Sequence, residues 1–160
     1  PKLLDFGISK ILDQEKLKEN NTYTMLGAMT PEYASPEQIK GETVTTSSDI
    51  YSLAVVLYKI LTGTVPFEFK NKINGNLLKI ITETEPSIPS SQNTNPNSAV
   101  HTPQLKGDID NIILKALRKE PERRYKTVEQ FSADIWRFID GLPILARPAT
   151  FSYRAGKFLQ

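Results

Sequence analysis

The stretch that decides the fold runs from residue 30 to residue 67 and reads TPEYASPEQIKGETVTTSSDIYSLAVVLYKILTGTVPF. Its first half contains Ser35 followed by Pro36, which predicts a short helix because proline is favoured at the first helical position. Its second half predicts another helix, from about Asp49 to Leu61. That helix is apolar on nearly every face, which predicts burial on all sides. It is expected to be capped by Thr46, Ser47 or Ser48 and to end at Gly63.

Three more helices are expected further along the chain. Apolar residues at helical spacing predict a short helix around Leu77 to Ile81 and another from Ile109 to Leu117. The third is expected from Val128 to Ile139, with Thr127 as its cap. Between the first two, Glu85 to Pro103 is rich in proline, serine and asparagine, which predicts a mobile surface insert. The predicted fold class is therefore mainly α.

The composition excludes several kinds of site. The chain of 160 residues has no cysteine, so disulfide scaffolds, thiolate metal sites and cysteine nucleophiles are excluded. Its single histidine, His101, excludes any site that needs two imidazoles and is expected to be solvated in the insert. The net charge of +2 is too balanced to favour nucleic acid as a partner.

A short motif near the start of the chain carries possible metal chemistry. Asp5-Phe6-Gly7 follows a short apolar run, and by itself it fits a polar turn at the end of a strand. A carboxylate on a tight turn also suits a hard cation that bridges phosphates, and glycine lets the backbone reverse beside it. Asp5 is therefore a candidate metal ligand, with the plain turn as the alternative.

Four elements occur in order along the chain. After Asp5-Phe6-Gly7 come residues 30–37 (TPEYASPE), 48–53 (SDIYSL) and 115–125 (KALRKEPERRY). In this order and spacing they resemble the C-terminal lobe of the eukaryotic-like serine/threonine protein kinases of bacteria, over about residues 1–139. The resemblance implies a protein-kinase-like C-terminal lobe. Its parent fold is α+β, and the N-terminal lobe and catalytic loop are absent from these 160 residues.

The resemblance assigns residues 5–37 to the activation segment. In the family pattern Asp5 would bind Mg²⁺, Phe6 would pack beneath the active site and Gly7 would permit the turn. Thr30 stands where serine/threonine kinases have a threonine that favours Ser and Thr hydroxyl groups as substrates.

The middle of this segment holds a cluster of hydroxyl groups. Thr22 and Thr24 are candidate phosphorylation sites, and each phosphate would add about −1.5 to −2 charges and order the loop against a basic pocket. A solvated polar loop is the alternative for the same residues.

The resemblance also assigns three structural residues. Glu37 would pair with Arg124 and hold the activation segment to the helical core; the family usually has alanine where Ser35 stands. Asp49 would brace the catalytic loop through its backbone amides. Without the family pattern, Asp49 would be read as a carboxylate that the helix dipole favours.

The resemblance divides the chain into a kinase part, residues 1–140, and a post-kinase linker or juxtadomain segment, residues 141–160. The parent reaction would transfer the γ-phosphoryl group of ATP to Ser or Thr hydroxyls of protein substrates, with Mg²⁺ as cofactor. The 160 residues contain no Gly-rich phosphate loop and no H-R-D-x-x-x-x-N motif. These parts precede the Asp-Phe-Gly turn in the family, so we expect them upstream of Pro1 and expect the fragment alone to be inactive.

A non-catalytic kinase-like module that binds partners through its helices is the alternative function. An intact H-R-D-x-x-x-x-N motif upstream would support the enzyme, and loss of its Asp would support the module.

No segment has the roughly 18 to 20 consecutive apolar residues that a membrane span needs. We expect a cytoplasmic location, no nucleic-acid partner, and membrane association only through segments outside this chain.

Overall fold

Five α-helices form most of the structure. The computed structural model describes residues 30–67, 76–92 and 107–147. The helices are α1 (Pro36–Lys40), α2 (Thr46–Thr62), α3 (Asn76–Glu83), α4 (Asp108–Ala116) and α5 (Val128–Ile139). Short 3-10 helices span Pro31–Tyr33, Pro89–Ser91 and Pro121–Arg123. No strand occurs in the three described ranges, which confirms the mainly α prediction.

The helix α2 begins earlier than the sequence predicted. Thr45 is its N-cap: the Thr45 hydroxyl accepts a hydrogen bond from the Ser47 backbone N–H at 3.3 Å, and the Ser48 hydroxyl accepts one from the Thr45 N–H at 3.3 Å. The predicted cap at residues 46 to 48 is therefore wrong by at least one residue. The predicted end is confirmed, because Gly63 takes the left-handed conformation that ends helices, with φ of 76°.

The hydrophobic core lies between α2, α4 and α5. The helix α4 packs against both α2 and α5, and their apolar faces meet. The buried cluster consists of Ile50, Tyr51, Ala54, Val55 and Tyr58 from α2, Ile109, Ile112, Ile113 and Ala116 from α4, Phe131 from α5, and Phe67, Leu117, Tyr125 and Ile144.

One face of α2 contradicts the prediction of burial on all sides. Leu53, Val56 and Ile60 are 45%, 41% and 68% exposed. Because residues three and four apart share a helix face, these side chains form one line along α2, which we call the apolar stripe. Burial of this helix needs neighbours on every side, and the described residues cover the other sides only.

The first part of the predicted insert is packed against the helices. The Ser87 backbone N–H and hydroxyl both donate to the Pro66 carbonyl, at 3.0 and 2.9 Å. The Asp110 carboxylate accepts from the Ser90 N–H at 3.0 Å and from the Gly107 N–H at 3.2 Å. The structure thus differs from the predicted insert over residues 85–92, because serine groups there bond to the core. Residues 93–103 lie outside the described residues.

The other helices follow the sequence closely. The Thr127 hydroxyl caps α5, as predicted, by accepting from the Gln130 N–H at 3.3 Å. The Gln130 side chain accepts a hydrogen bond from the Lys126 N–H at 3.2 Å. In the segment predicted to be a post-kinase linker or juxtadomain segment, Ile144 is buried in the core cluster.

Candidate functional site

The segment that enters α1 is fixed by local hydrogen bonds. The carbonyl of Thr30, an exposed residue, accepts from the Tyr33 N–H at 3.1 Å and closes the first 3-10 helix. Ser35 caps α1 in a capping box: its N–H donates to Gln38 Oε1 at 2.9 Å, and its hydroxyl accepts from the Gln38 N–H at 3.4 Å. Pro36 takes the first helical position, as predicted.

Tyr33 attaches this segment to α2. The Ser52 hydroxyl donates to the Tyr33 carbonyl at 2.8 Å, and Lys59 Nζ donates to the Tyr33 hydroxyl at 2.8 Å. The hydrogen bond to Tyr33 raises the pKa of the exposed Lys59 ammonium. The residues that follow Thr30 are therefore held along one side of α2.

A buried ion pair joins α1 to the chain that precedes α5. Arg124 Nη1 lies 2.7 Å from Glu37 Oε1, and Arg124 Nη2 lies 2.8 Å from Glu37 Oε2. The exposed fractions of the two side chains are 0% for Arg124 and 3% for Glu37. Two parallel bonds between a guanidinium and a carboxylate give both strength and a fixed orientation. The contact that the sequence predicted between these residues is present.

Arg124 uses all five of its N–H donors. Besides the two bonds to Glu37, Nη1 donates to the Ser47 carbonyl at 2.9 Å and Nη2 donates to the Lys119 carbonyl at 2.9 Å. Nε donates to the Arg118 carbonyl at 2.7 Å. A buried cation is tolerated when every donor has a partner, so Arg124 can join three separate segments without an unmet hydrogen bond.

The electrostatics of the pair keep Glu37 ionised. Burial alone would raise the pKa of the Glu37 carboxyl, but hydrogen bonds from Arg124 and from the Ser48 hydroxyl outweigh burial and lower this pKa to about 2. The Ser48 bond, from Oγ to Glu37 Oε1, is 2.6 Å long. Because the Ser48 hydroxyl also accepts from Thr45 in the α2 cap, the cap and the ion pair share one side chain.

The Tyr51 ring forms one wall of this buried site. The Arg124 guanidinium lies 5.0 Å from the centre of the ring. Burial raises the pKa of the Tyr51 hydroxyl, and the nearby Arg124 charge offsets only part of that effect. The hydroxyl is buried and has no hydrogen-bond partner among the described residues.

Asp49 lies next to this site but faces away from it. It is exposed in the first turn of α2 and shares a face with the apolar stripe. Its predicted role in bracing a catalytic loop stays a prediction.

Within the described ranges, no group of three or more His, Asp or Glu side chains is arranged to hold a metal ion. None of the helices in those ranges has the length and apolar character that crossing a bilayer requires. Six residues that the sequence singled out lie outside the described residues: Asp5, Phe6, Gly7, Thr22, Thr24 and His101.

The sequence predicted the two charges of the site but missed most of what surrounds them. Arg124 bonds three backbone carbonyls, and a carbonyl leaves no mark on the sequence because every residue has one. For the Ser48 hydroxyl, the sequence indicates only a capping role. Its position, directly before Asp49 and at the start of the helix, is compatible with a second role, but only the fold brings Glu37 to it.

Comparison with known proteins gives one matching family model. The model of the protein kinase domain matches residues 1–136. Those residues include all of α1 to α4 and the first nine residues of α5.

Three curated relatives are bacterial serine/threonine-protein kinases. A probable kinase of Streptomyces coelicolor is 33% identical over 157 residues, 98% of this chain and 21% of that protein. PknB of Mycobacterium tuberculosis is 34% identical over 142 residues, 89% of this chain and 21% of that protein. PrkC of Bacillus subtilis is 39% identical over 134 residues, 84% of this chain and 18% of that protein. The chain thus spans about a fifth of the length of these relatives.

Proposed function

The chain belongs to the protein kinase family, and from that premise we propose that it is the C-terminal-lobe part of a serine/threonine protein kinase. The parent protein transfers the γ-phosphoryl group of ATP to Ser or Thr hydroxyls of protein substrates. The observation that carries the proposal is the buried pair of Glu37 with Arg124, which occupies the positions that the family pattern gives to its structural ion pair.

The pair gives the proposal a mechanism for this chain's own residues. Phosphoryl transfer depends on holding the reacting groups in position, so a segment that borders the active site needs a rigid support. Residues 30–37 form the end of the proposed activation segment. They are fixed at two points, by Tyr33 on α2 and by Glu37 on Arg124. The described part of the lobe therefore supplies support rather than chemistry.

The proposed cofactors act through residues outside this support. Asp5 would give a carboxylate oxygen to Mg²⁺, and Mg²⁺ neutralises charge on the phosphates of ATP. A carboxylate suits this hard cation. Thr22 and Thr24 are proposed phosphorylation sites of the activation segment, and Thr30 is proposed to favour Ser and Thr substrates. Proteins and ATP are the proposed partners, and the cytoplasm, where ATP is available, is the proposed location.

We propose that the 160-residue chain is inactive by itself. It contains no Gly-rich phosphate loop and no H-R-D-x-x-x-x-N motif, and phosphoryl transfer needs these parts to act together with the Mg²⁺ ligand. The apolar stripe of α2 and the exposed Asp49 beside it support this proposal. They form a face that no described residue covers.

The test compares the 160-residue chain with the complete product of the gene that encodes it. Both are incubated with Mg²⁺, ATP labelled at the γ-phosphate, and a generic protein substrate. We expect the complete product to phosphorylate Ser and Thr and its Asp5→Ala variant to lose this activity. The 160-residue chain is expected to stay at the level of its own Asp5→Ala control.

Matched variants test the role of the ion pair in the complete product. Glu37→Gln should lower kcat, while Glu42→Gln, an exposed position just after α1, should leave it unchanged. Turnover by the 160-residue chain would overturn the proposed inactivity. A folded complete product without phosphotransfer would overturn the kinase proposal and support a partner-binding module.

A further inference from the structure

A fully buried carboxylate on α5 binds the chain that follows this helix. Asp134 is 0% exposed. Its Oδ1 accepts a hydrogen bond from the Leu145 backbone N–H at 2.7 Å, and its Oδ2 accepts one from the Ala146 N–H at 2.8 Å. The Tyr125 hydroxyl donates to Oδ2 at 2.9 Å. One side chain therefore holds two consecutive amides that lie eleven and twelve residues further along the chain.

The charge of Asp134 is well compensated where it lies. Three hydrogen bonds reach its two oxygens, and Arg137 Nη1 lies 3.7 Å from Oδ1. Hydrogen bonds from N–H and O–H groups to a carboxylate are stronger than hydrogen bonds between neutral groups. The arrangement is a built binding site for backbone amides, not a chance contact at the surface.

Two further contacts fix the same segment. Ile144, directly before the bound amides, is buried in the core cluster with Phe131 of α5. Arg147, directly after them, places its Nη1 3.8 Å from Asp108 Oδ1, at the start of α4. Apolar burial, backbone bonds and an ion pair thus follow one another over four residues. The Asp134 carboxylate is at the centre of this attachment.

We propose that Asp134 is a positioning residue that fastens residues 144–147 to the lobe, so that the chain beyond Arg147 leaves from a fixed point beside α4. The family model matches residues 1–136, so Asp134 lies inside the matched part and the segment that it binds, residues 144–147, lies beyond it. A segment held at this point is not a flexible linker. These contacts tie residues 144–147 to both α4 and α5.

Amide hydrogen exchange of the unaltered chain is the first test. We expect the Leu145 and Ala146 amides to exchange at least tenfold more slowly than unprotected amides of the same local sequence, because both are bonded to a buried acceptor. Exchange of either amide at the unprotected rate overturns the proposal, whatever the protection of the rest of the lobe. This measurement needs no variant, so a variant that fails to fold does not affect it.

The Asp134→Asn variant tests the carboxylate itself. Asparagine has the same shape as aspartate, but one of its two acceptor oxygens is replaced by an NH₂ group, which is a donor. This NH₂ group would face at least one of the N–H or O–H groups that now donate to the carboxylate, so at least one hydrogen bond would be lost. We expect exchange of Leu145 and Ala146 to become at least tenfold faster relative to Ile112 in α4. Asp140→Asn, at an exposed carboxylate at the end of the same helix, is the matched control and should change neither amide. Equal protection in both variants would overturn the assignment of Asp134.

A distance measurement tests the positioning role separately from stability. The chain has no cysteine, so Ser132→Cys in α5 and Leu145→Cys, at an exposed side chain of the fastened segment, can carry a pair of spin labels without further changes. We expect a narrow distribution of distances in this background and a broad one when Asp134→Asn is added. The distribution should stay narrow with Asp140→Asn. A distribution that is already broad without Asp134→Asn would contradict the fastening of residues 144–147.

Discussion

Two regions of the helix α2, its N-terminal end and its exposed face, differ in how many contacts they make with the rest of the chain. At its N-terminal end, Ser48 bonds Glu37, and the Ser47 carbonyl accepts from Arg124 in a network in which every guanidinium donor has a partner. On its exposed face, Leu53 and Ile60 have no cover among the described residues. Both sides belong to one helix of 17 residues.

The ion pair has all its partners within these 160 residues, whereas the apolar stripe is exposed. Buried charges are tolerated only when their partners are present, and Glu37 and Arg124 have theirs within these 160 residues. For the apolar stripe, we propose that another element of the complete gene product covers Leu53, Val56 and Ile60. We therefore expect variants at the ion pair to act on this chain alone, and variants in the apolar stripe to act mainly in the complete gene product.

Loss of one partner of the ion pair should have the largest effect on stability. Arg124→Met leaves the Glu37 carboxylate buried without its counter-charge, which is expected to cost about 3–5 kcal/mol of unfolding free energy. Urea unfolding measures this cost. Arg123→Met, at an exposed arginine that directly precedes Arg124, is the control and should change stability by less than about 0.5 kcal/mol.

A double-mutant cycle shows whether that cost belongs to the pair. Glu37→Gln, Arg124→Met and the double variant should give a coupling energy of about 0.5–3 kcal/mol, because residues in one hydrogen-bond network do not act independently. Simple addition of the two single losses would mean that the bidentate contact does not form in solution.

The second prediction compares a buried isoleucine with one in the apolar stripe. Ile112→Ala removes a fully buried side chain of α4 and should cost about 2–5 kcal/mol, whereas Ile60→Ala should cost less than about 0.5 kcal/mol. Urea unfolding of both variants gives the comparison. In the complete gene product, the cost of Ile60→Ala should rise towards that of Ile112→Ala. A large cost of Ile60→Ala in the 160-residue chain would show that the stripe is already covered there.

Most of the helical framework could be predicted from local sequence signals. Capping residues such as Ser35 and Thr127, the helix-ending Gly63 and the apolar spacing in α4 all act within a few residues of themselves. The pairing of Glu37 with Arg124 could also be predicted, but only from the family pattern, because the two residues are 87 positions apart.

The features that could not be predicted depend on which elements meet in space. The apolar residues of α2 predict burial, but they do not say whether the element that buries Leu53 is present. The serine-rich composition of residues 85–92 predicted mobility, yet the Ser87 and Ser90 hydroxyls find partners in Pro66 and Asp110. The role of Asp134 left no local signal, because its acceptors face backbone amides of a later segment.

The third prediction concerns acid. Because the pKa of Glu37 is lowered in the folded chain to about 2 from an ordinary value of 4.5, the unfolded chain binds more protons between these values. Stability that is present above about pH 4.5 is therefore lost as the pH falls towards 2. Urea unfolding across this range should show a weaker pH dependence for Glu37→Gln than for the unaltered chain, and Glu42→Gln should keep the original slope.

The smallest expected effect concerns Lys119, at the edge of the Arg124 network. Its Nζ donates to the Ile81 carbonyl of α3 at 2.7 Å and lies 4.1 Å from the centre of the Phe67 ring. Burial lowers the pKa of this ammonium from 10.5 to about 8, and the nearby Arg124 charge adds to the effect, while Glu85 and Glu120 act in the opposite direction.

Between pH 8 and about 10, the unfolded chain therefore keeps a proton on Lys119 that the folded chain has released, so stability should rise with pH. Burial raises the pKa of the Tyr51 and Tyr125 hydroxyls, which makes stability fall above about pH 10 and limits the window. Urea unfolding in steps from pH 7.5 to 10 should show the rise, on the order of 1 kcal/mol or less for a side chain that is only partly buried. Lys119→Met should flatten the rise, and Lys126→Met, at an exposed lysine, should not. An equal rise of stability with pH in both variants would mean that Lys119 keeps its charge in the folded chain. In that case Lys119 would contribute to the Arg124 network only through its backbone carbonyl, which accepts from Arg124.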